Sequence, residues 1–204
     1  MKRLLLLVVL SFCIAIPAAQ AGAESKGVPV PQAQPMQLRS VQADFIQEKH
    51  LKILARPIIS TGSFTFQAPQ SLRWEYRTPI RSILLMHGGK VRKFVERDGV
   101  LAEDKGMRLD AMQVVLAEIS NWLDGRFTDN AMFTVSFPTK QTILLTPKEQ
   151  GFAALISSIE LKLGEQVGLL DKVIIFEGPD ASTSLTFSNR IINKEIPAAV
   201  FTQR

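Results

Sequence analysis

The chain has 204 residues, of which 24 are Lys or Arg and 19 are Asp or Glu, so its formal net charge at pH 7 is +5. Acidic and basic residues are interleaved, which is typical of a solvated surface and argues against nucleic-acid binding, while a weak attraction to anionic membranes stays open. One cysteine and two histidines are too few for a disulfide framework or for a zinc site built from those residue types alone.

Residues 1–21 have the three parts of a secretory signal peptide. Basic Lys2-Arg3 precedes an apolar run from Leu4 to Ile16, and Ala19-Gln20-Ala21 supplies the small residues of a cleavage site. The run is shorter than the ~20 residues that a transmembrane helix needs. We therefore expect cleavage after Ala21 and a periplasmic mature chain.

Cys13 raises the alternative of a lipoprotein that is acylated at this position. Such processing requires a small residue directly before the cysteine, and Phe12 is bulky. We expect the mature chain to begin at Gly22 without a lipid, which intact-mass measurement and N-terminal sequencing check. An acylated Cys13 would indicate a membrane-anchored protein instead.

Residues 22–35 predict an extended, poorly ordered lead-in, because prolines alternate there with small and polar residues. A single domain follows at residues 36–204. Its beginning, Met36 to Leu54, is ambiguous, since Leu38, Val41 and Phe45 fit a helical face while the odd-numbered residues from 41 to 45 also alternate. We predict a short helical turn and then a strand through Phe45 and Gln47.

The stretch from Ile58 to Tyr76 predicts an antiparallel hairpin, because apolar and polar residues alternate on both sides of Pro69. One face is expected to be charged and solvated, with Arg73, Glu75 and Arg77. The other face is large and aromatic, and consists of Gly62, Phe64, Phe66, Leu72, Trp74 and Tyr76.

A second hairpin is predicted around Gly88-Gly89, between Ser82–Met86 and Val91–Glu96. Residues 97–108 are polar and predict a loop. A helix is predicted over Leu109–Asp124, where Leu109, Met112, Leu116, Ile119 and Leu123 recur at three- and four-residue steps and Gly125 follows the last turn.

Short alternating segments continue to the C-terminal end of the chain. They predict strands at Phe133–Phe137, Thr142–Leu145, Ile159–Leu163, Val173–Glu177 and Ser184–Ser188. Many short strands and one helix predict an α+β fold, in which a curled antiparallel sheet forms an incomplete barrel and the helix covers its apolar concave face.

The sequence contains no nucleophile elbow, phosphate loop or dinucleotide-binding glycine pattern. Nothing therefore indicates an enzyme. The aromatic face has two interpretations: an ordinary core beneath the helix, or the wall of an apolar cavity that binds a small molecule.

The hairpin motifs Gly62-Ser-Phe-Thr-Phe66 and Leu72-Arg-Trp-Glu-Tyr76, with Pro69 and Pro79, resemble those of the LolA-type outer-membrane lipoprotein carriers. Val41-x-Ala43-x-Phe45-x-Gln47 is similar to the opening strand of that family. Leu144-x-x-Pro147, Phe187-Ser-Asn189 and the closing Pro197 to Phe201 follow its order, so the resemblance covers nearly all of the mature chain.

The resemblance implies a periplasmic chaperone that shields the acyl chains of lipoproteins between an inner-membrane transporter and an outer-membrane receptor, with no cofactor and no metal. A carrier of another lipid, such as a glycolipid or pigment lipid, and a module that senses lipoproteins remain as alternatives. We expect the cavity to be lined by Phe45, Phe64, Phe66, Leu72, Trp74, Tyr76, Phe94, Met112, Leu116 and Ile119.

One position departs from the family. LolA-type carriers commonly have a basic residue just before the hairpin proline, described as latching a helical lid, and Ala68 stands there in this chain. Strand parity predicts that Arg73 points to the opposite face from Trp74 and cannot replace it. We expect the lid helix 109–124 to be held by apolar packing alone.

Overall fold

The computed structural model describes residues 38–104, 130–165 and 169–204. Within these ranges eleven strands form one antiparallel sheet, and the α-helical residues are the single turn α1, Gln150–Ala153. A 3-10 turn follows at Ala198–Phe201. No helix in these ranges combines the length and the apolar character needed to cross a bilayer.

The strands follow one another in short hairpins. Their bounds are β1 Ser40–Leu51, β2 Ile58–Gln67, β3 Ser71–Thr78, β4 Ser82–His87, β5 Lys90–Arg97, β6 Val100–Glu103, β7 Phe133–Thr139, β8 Thr142–Pro147, β9 Ser158–Leu163, β10 Leu170–Phe176 and β11 Ala181–Ile192.

The sheet consists of two meanders that are joined through the first and last strands. Its order is β6-β5-β4-β3-β2-β1-β11-β10-β9-β8-β7, so β1 pairs with β2 on one side and with β11 on the other. The outermost strands β6 and β7 are consecutive among the described strands, and the sheet is open.

The predicted hairpin is confirmed in register. Phe64 lies opposite Trp74 and Gly62 lies opposite Tyr76, which places the aromatic residues of β2 and β3 on one face. Ala43 and Phe45 of β1 join that face across β2. We call it the inner face, and the face that carries Arg73 and Glu75 the outer face.

The inner face is concave. Trp74 in β3 and Phe187 in β11 are separated by two strands, a spacing of roughly 14 Å at ~4.8 Å per strand. Their ring centroids nevertheless lie 6.3 Å apart, and those of Phe64 and Phe187 lie 6.2 Å apart. Side chains from separated strands converge in this way when the sheet curls toward them.

The outer face carries its own small apolar cluster of Ile83, Leu85, Phe94 and Leu101. The C-terminal segment lies against the same face of the sheet. Phe201 is buried, and its ring stacks on His87 at a centroid distance of 6.0 Å and an interplanar angle of 8°.

Arg73 holds this C-terminal segment. Its Nη1 donates to the backbone carbonyl oxygens of Val200 at 3.2 Å and Gln203 at 2.7 Å. Its Nε and Nη2 donate to Glu75 at 2.9 and 2.7 Å, and Arg81 donates to the other oxygen of that carboxylate at 3.0 Å. The side chain of Arg73 therefore points outward as predicted, but the expectation that this face is simply solvated is wrong.

Two further expectations need correction. Strand β1 runs without interruption from Ser40, so the helical interpretation of Leu38, Val41 and Phe45 is wrong from Ser40 onward, and pairing with both β2 and β11 fixes the extended backbone there. Residues 100–103 form β6 rather than a loop, because they pair with β5. The predicted helix 109–124 and its lid role lie outside the described residues.

Gly62 provides the space for the ring of Phe45. A Cβ at position 62 would lie 2.5 Å from Cζ of Phe45 and would also clash with the carbonyl oxygen of Glu75. We expect Gly62→Ala to lower the free energy of unfolding by about 1–3 kcal/mol, the usual range for overpacking, as measured by urea unfolding.

Gly151→Ala is the matched control for this substitution. Gly151 lies in α1, and a Cβ at this position would meet no atom within 4 Å from the described residues outside its own helix. The free energy of unfolding of Gly151→Ala should therefore stay the same as that of wild type or rise slightly. Equal stabilities of Gly62→Ala and wild type would contradict the close approach of Phe45.

The pKa of Glu75 lies below its ordinary value of 4.5; burial raises it, but the hydrogen bonds and charges of Arg73 and Arg81 outweigh burial. Its stabilising contribution is therefore fully present above pH 4.5 and is lost as the pH falls through the lower pKa of the folded state. We expect Glu75→Gln to be less stable than wild type at pH 7 and to lose less stability on acidification from pH 5 to 3, as followed by chemical unfolding. A parallel decline of both proteins would contradict this linkage.

Candidate functional site

The structure brings most of the predicted site residues together on the inner face. Their burial is nearly complete, except that Tyr76 is half-buried. These residues belong to one apolar cluster and are Phe45, Phe64, Phe66, Leu72, Trp74 and Tyr76.

Phe94 does not join them. It lies opposite Ile83 in β4, and Ile83 lies opposite Glu75 in β3, so Phe94 faces outward into the second cluster. Its assignment to the cavity is wrong. Met112, Leu116 and Ile119 lie outside the described residues, and their place in the cavity remains a prediction.

The aromatic rings form a stacked group over Gly62. Phe45 in β1 reaches across the glycine to stack on Trp74 in β3, with centroids 4.5 Å apart and an interplanar angle of 29°. Tyr76 meets Phe45 edge-on at 5.2 Å, and Phe64 meets Trp74 at 5.5 Å. Offset and edge-on contacts at these distances are the favoured geometries of aromatic pairs.

The second meander extends the same face with aliphatic side chains that the sequence analysis did not assign to the site. They are buried in the same cluster: Ile143, Leu145, Ile159, Leu161, Val173, Ile175 and Leu185. The alternation of each strand indicated these residues, but it did not show that the two meanders share one face. We call the whole surface the inner wall.

Polar groups are few on the inner wall. The hydroxyl of Tyr76 donates to Gln47 at 2.6 Å. The indole Nε1 of Trp74 is buried, and it has no hydrogen-bond partner in the described part of the chain. A buried donor without a partner costs roughly 1–3 kcal/mol.

A β-bulge adds one cation to the inner wall. Asp44 pairs with Ser188 and Gln42 with Ile191, so that Asn189 and Arg190 together lie opposite Ala43. The extra residue reverses the alternation beyond Phe187. Arg190 therefore lies on the inner side, where an uninterrupted strand would have turned it outward.

Asp44 holds this bulge from the outer side. Asn189 takes the left-handed conformation with φ of 51°, and its Nδ2 donates to Oδ2 of Asp44 at 2.9 Å. Arg77 donates to Oδ1 of the same carboxylate at 2.6 Å. The hydrogen bonds from Asn189 and Arg77 lower the pKa of Asp44, so the bulge is stabilised by an ionised carboxylate.

A cavity of about 30 Å³ lies at the bulge. Among the described residues its lining contains one polar side chain, that of Arg190; the lining residues are Val41, Ala43, Phe64, Leu169, Leu170, Phe187 and Arg190. In the described part of the chain, no group of three or more His, Cys, Asp or Glu residues could hold a metal ion.

Ala68 lies at the rim of the inner wall, where it is partly buried and packs against the apolar cluster. It borders a polar cleft with Arg39, Asn193 and Lys194, and its backbone N–H donates to the carbonyl oxygen of Arg39 at 2.9 Å. The absence of a basic side chain at position 68 is thus a property of the rim near the β2–β3 turn.

The chain matches a known protein family over most of its length. The family model of the outer membrane lipoprotein carrier protein LolA matches residues 36–204. The chain belongs to the LolA family. The outer-membrane lipoprotein carrier protein of Methylococcus capsulatus is 28% identical over 172 residues, which cover 79% of this chain and 80% of that protein.

Two solved structures are similar in outline. A DUF1329 family protein from Desulfovibrio piger has a TM-score of 0.46 and 10% identity, and a LolA superfamily protein from Nitrosomonas europaea has a TM-score of 0.42 and 11% identity. Each similarity covers 82% of this chain and 91% of the other.

Proposed function

We propose that this LolA family member is a periplasmic carrier that shields the acyl chains of lipoproteins on their way from the inner to the outer membrane. The observation that carries the proposal is the inner wall. It runs across both meanders, it is concave, and in the described part of the chain it is built chiefly from aromatic and aliphatic side chains. Because LolA family members are carriers, no catalytic role is proposed.

The energetics of acyl transfer favour such a wall. Burying one methylene group is worth ~0.8 kcal/mol, so a sixteen-carbon chain in water costs on the order of 12 kcal/mol. A carrier must remove most of that cost and still release its cargo. A wall built mainly from aromatic and aliphatic side chains does this with few of the directional bonds that would slow release.

The cargo is the part of the proposal that needs a direct measurement. The inner wall is equally suited to the chains of a glycolipid or a pigment lipid, and such a carrier is the second candidate. Purification from periplasm without detergent, followed by mass spectrometry of bound material, distinguishes them. Co-purifying triacylated peptides support the first function, and a lipid without peptide supports the second.

Trp74 is the natural reporter of cargo on the inner wall. In a Trp122→Phe background, we expect the emission of Trp74 to change when a long-chain lipid is titrated in, because the lipid contacts the aromatic cluster in which the buried indole is packed. Unchanged emission at saturating lipid would argue against lipid binding at the wall.

Phe64→Ala tests the wall itself, with Phe94→Ala as the matched control. Both rings are buried, and each truncation should destabilise the fold by about 3–5 kcal/mol, but only Phe64 lies on the inner wall. We expect Phe64→Ala to weaken lipid binding by roughly tenfold while Phe94→Ala leaves it near wild type, measured where circular dichroism shows both variants folded. Phe187→Ala, at a half-buried position, is the milder second variant. Equal effects of Phe64→Ala and Phe94→Ala would argue against the wall as the binding surface.

A further inference from the structure

We propose that Arg190 is the polar anchor of the inner wall and binds an oxygen acceptor at the head of an acyl lipid, as in a carboxylate or a phosphate. The proposal rests on the carrier function and names the ligand chemistry that the wall selects. It comes from the bulge of β11, the unsatisfied donor of Arg190 and the ion pair behind it.

The first observation is placement. The bulge at Asn189 and Arg190 lies opposite Ala43, whose small side chain leaves room for the guanidinium and for the cavity beside it. Arg190 is the single charged residue in a described lining that is otherwise aliphatic and aromatic. A cation in such surroundings is costly unless its donors are satisfied.

The second observation is an incomplete set of hydrogen bonds. Nη2 of Arg190 donates to Oδ1 of Asp171 and, at 3.1 Å, to the carbonyl oxygen of Phe187. Nε of the same side chain is buried and has no partner among the described residues. The guanidinium is thus oriented by the two bonds of Nη2, and the buried Nε–H is left for a ligand.

The third observation is that Asp171 is itself held in position by a second irregularity. Leu170 pairs with Leu163 and Lys172 with Lys162, so Asp171 is an extra residue in β10. A side-chain carbon on the nearby Gly164 would lie 2.9 Å from Cγ of Asp171. Strands β10 and β11 therefore each contain an irregularity. Together the two irregularities bring the carboxylate of Asp171 next to the guanidinium of Arg190.

In the proposed complex the acyl chain lies along Phe64 and Phe187, and the polar head of the lipid faces Arg190. Asp171 is half-exposed, with 49% of its side-chain surface accessible, whereas Arg190 is 22% exposed. The pair therefore lies where the apolar wall meets solvent. A head group at that boundary keeps its remaining oxygens hydrated while one accepts the Nε–H bond.

The test compares two single-chain probes of equal length. Dodecanoate carries an oxygen acceptor at its head, whereas dodecyltrimethylammonium carries none. Below their micellar concentrations, we expect Arg190→Met to weaken dodecanoate binding by about 10- to 100-fold, the range for one charge-assisted hydrogen bond, and to leave dodecyltrimethylammonium binding within about twofold.

Arg92→Met is the matched control, because Arg92 forms an ion pair with Glu103 at 3.0 Å in the β5–β6 hairpin, away from the cavity. It should change the binding of neither probe. Dodecyl phosphate, tested in parallel, distinguishes a phosphate head from a carboxylate by which of the two loses more affinity.

Arg190→Lys keeps the positive charge toward Asp171 but lacks Nε, and it serves if Arg190→Met does not fold. We expect several-fold weaker dodecanoate binding in this variant. Equal losses for both probes, or no loss for dodecanoate, would overturn the anchor. Failure of wild type to bind either probe would instead overturn the carrier function on which the anchor rests.

Discussion

The pairing of β1 with β11 is the constraint on which the rest of the molecule depends. Each meander is a series of local hairpins with one apolar face. Joining them side by side merges two apolar faces into one, and the curl of the sheet turns that face inward. The aromatic half comes from β1 to β3 and the aliphatic half from β8 to β11, so the inner wall exists only when the first and last strands meet.

The pairing of β1 with β11 also explains the positions of Arg190 and Asp44. β11 pairs with β1 along its length, and β1 is also bonded to β2 on its other side. The bulge in β11 lets this strand bend and still stay paired with β1. Bulges increase local bending and redirect side chains. Here the redirected side chain is Arg190, with Asp44 holding the bulge from outside. The bulge that lets the sheet curl thus also places the guanidinium of Arg190 on the inner wall.

Much of the sheet could be predicted from the sequence, because period-two alternation survives in nearly every strand. The hairpin of β2 and β3 was predictable to the level of its faces, since Phe64, Trp74 and their neighbours alternate with polar residues. The face of the sheet on which Phe94 lies could not be predicted in this way. Strand β4 is buried on both sides, so Ile83 and Leu84 are equally apolar, and the sequence does not show which of them continues the inner wall.

The remaining site features depend on long-range contacts that leave no local pattern. The extra residue at Asn189-Arg190 is visible only once β11 is aligned with β1, about 145 residues earlier in the chain. The role of Arg73 depends in the same way on carbonyl groups about 130 residues later. Single-sequence periodicity reports which residues share a face within one element, and it carries no information about such partners.

The C-terminal segment affects how prone the protein is to aggregation and degradation in the cell. Residues 198–204 cover part of the outer face, since the ring of Phe201 is buried there and Arg73 binds carbonyl oxygens on either side of it. A chain that lost this segment, through premature termination or trimming by a carboxypeptidase, would expose apolar surface on both sides of the same sheet. Such a product would be prone to aggregate and open to degradation. The segment thus protects the outer face: in molecules that keep it, the ring of Phe201 stays buried there.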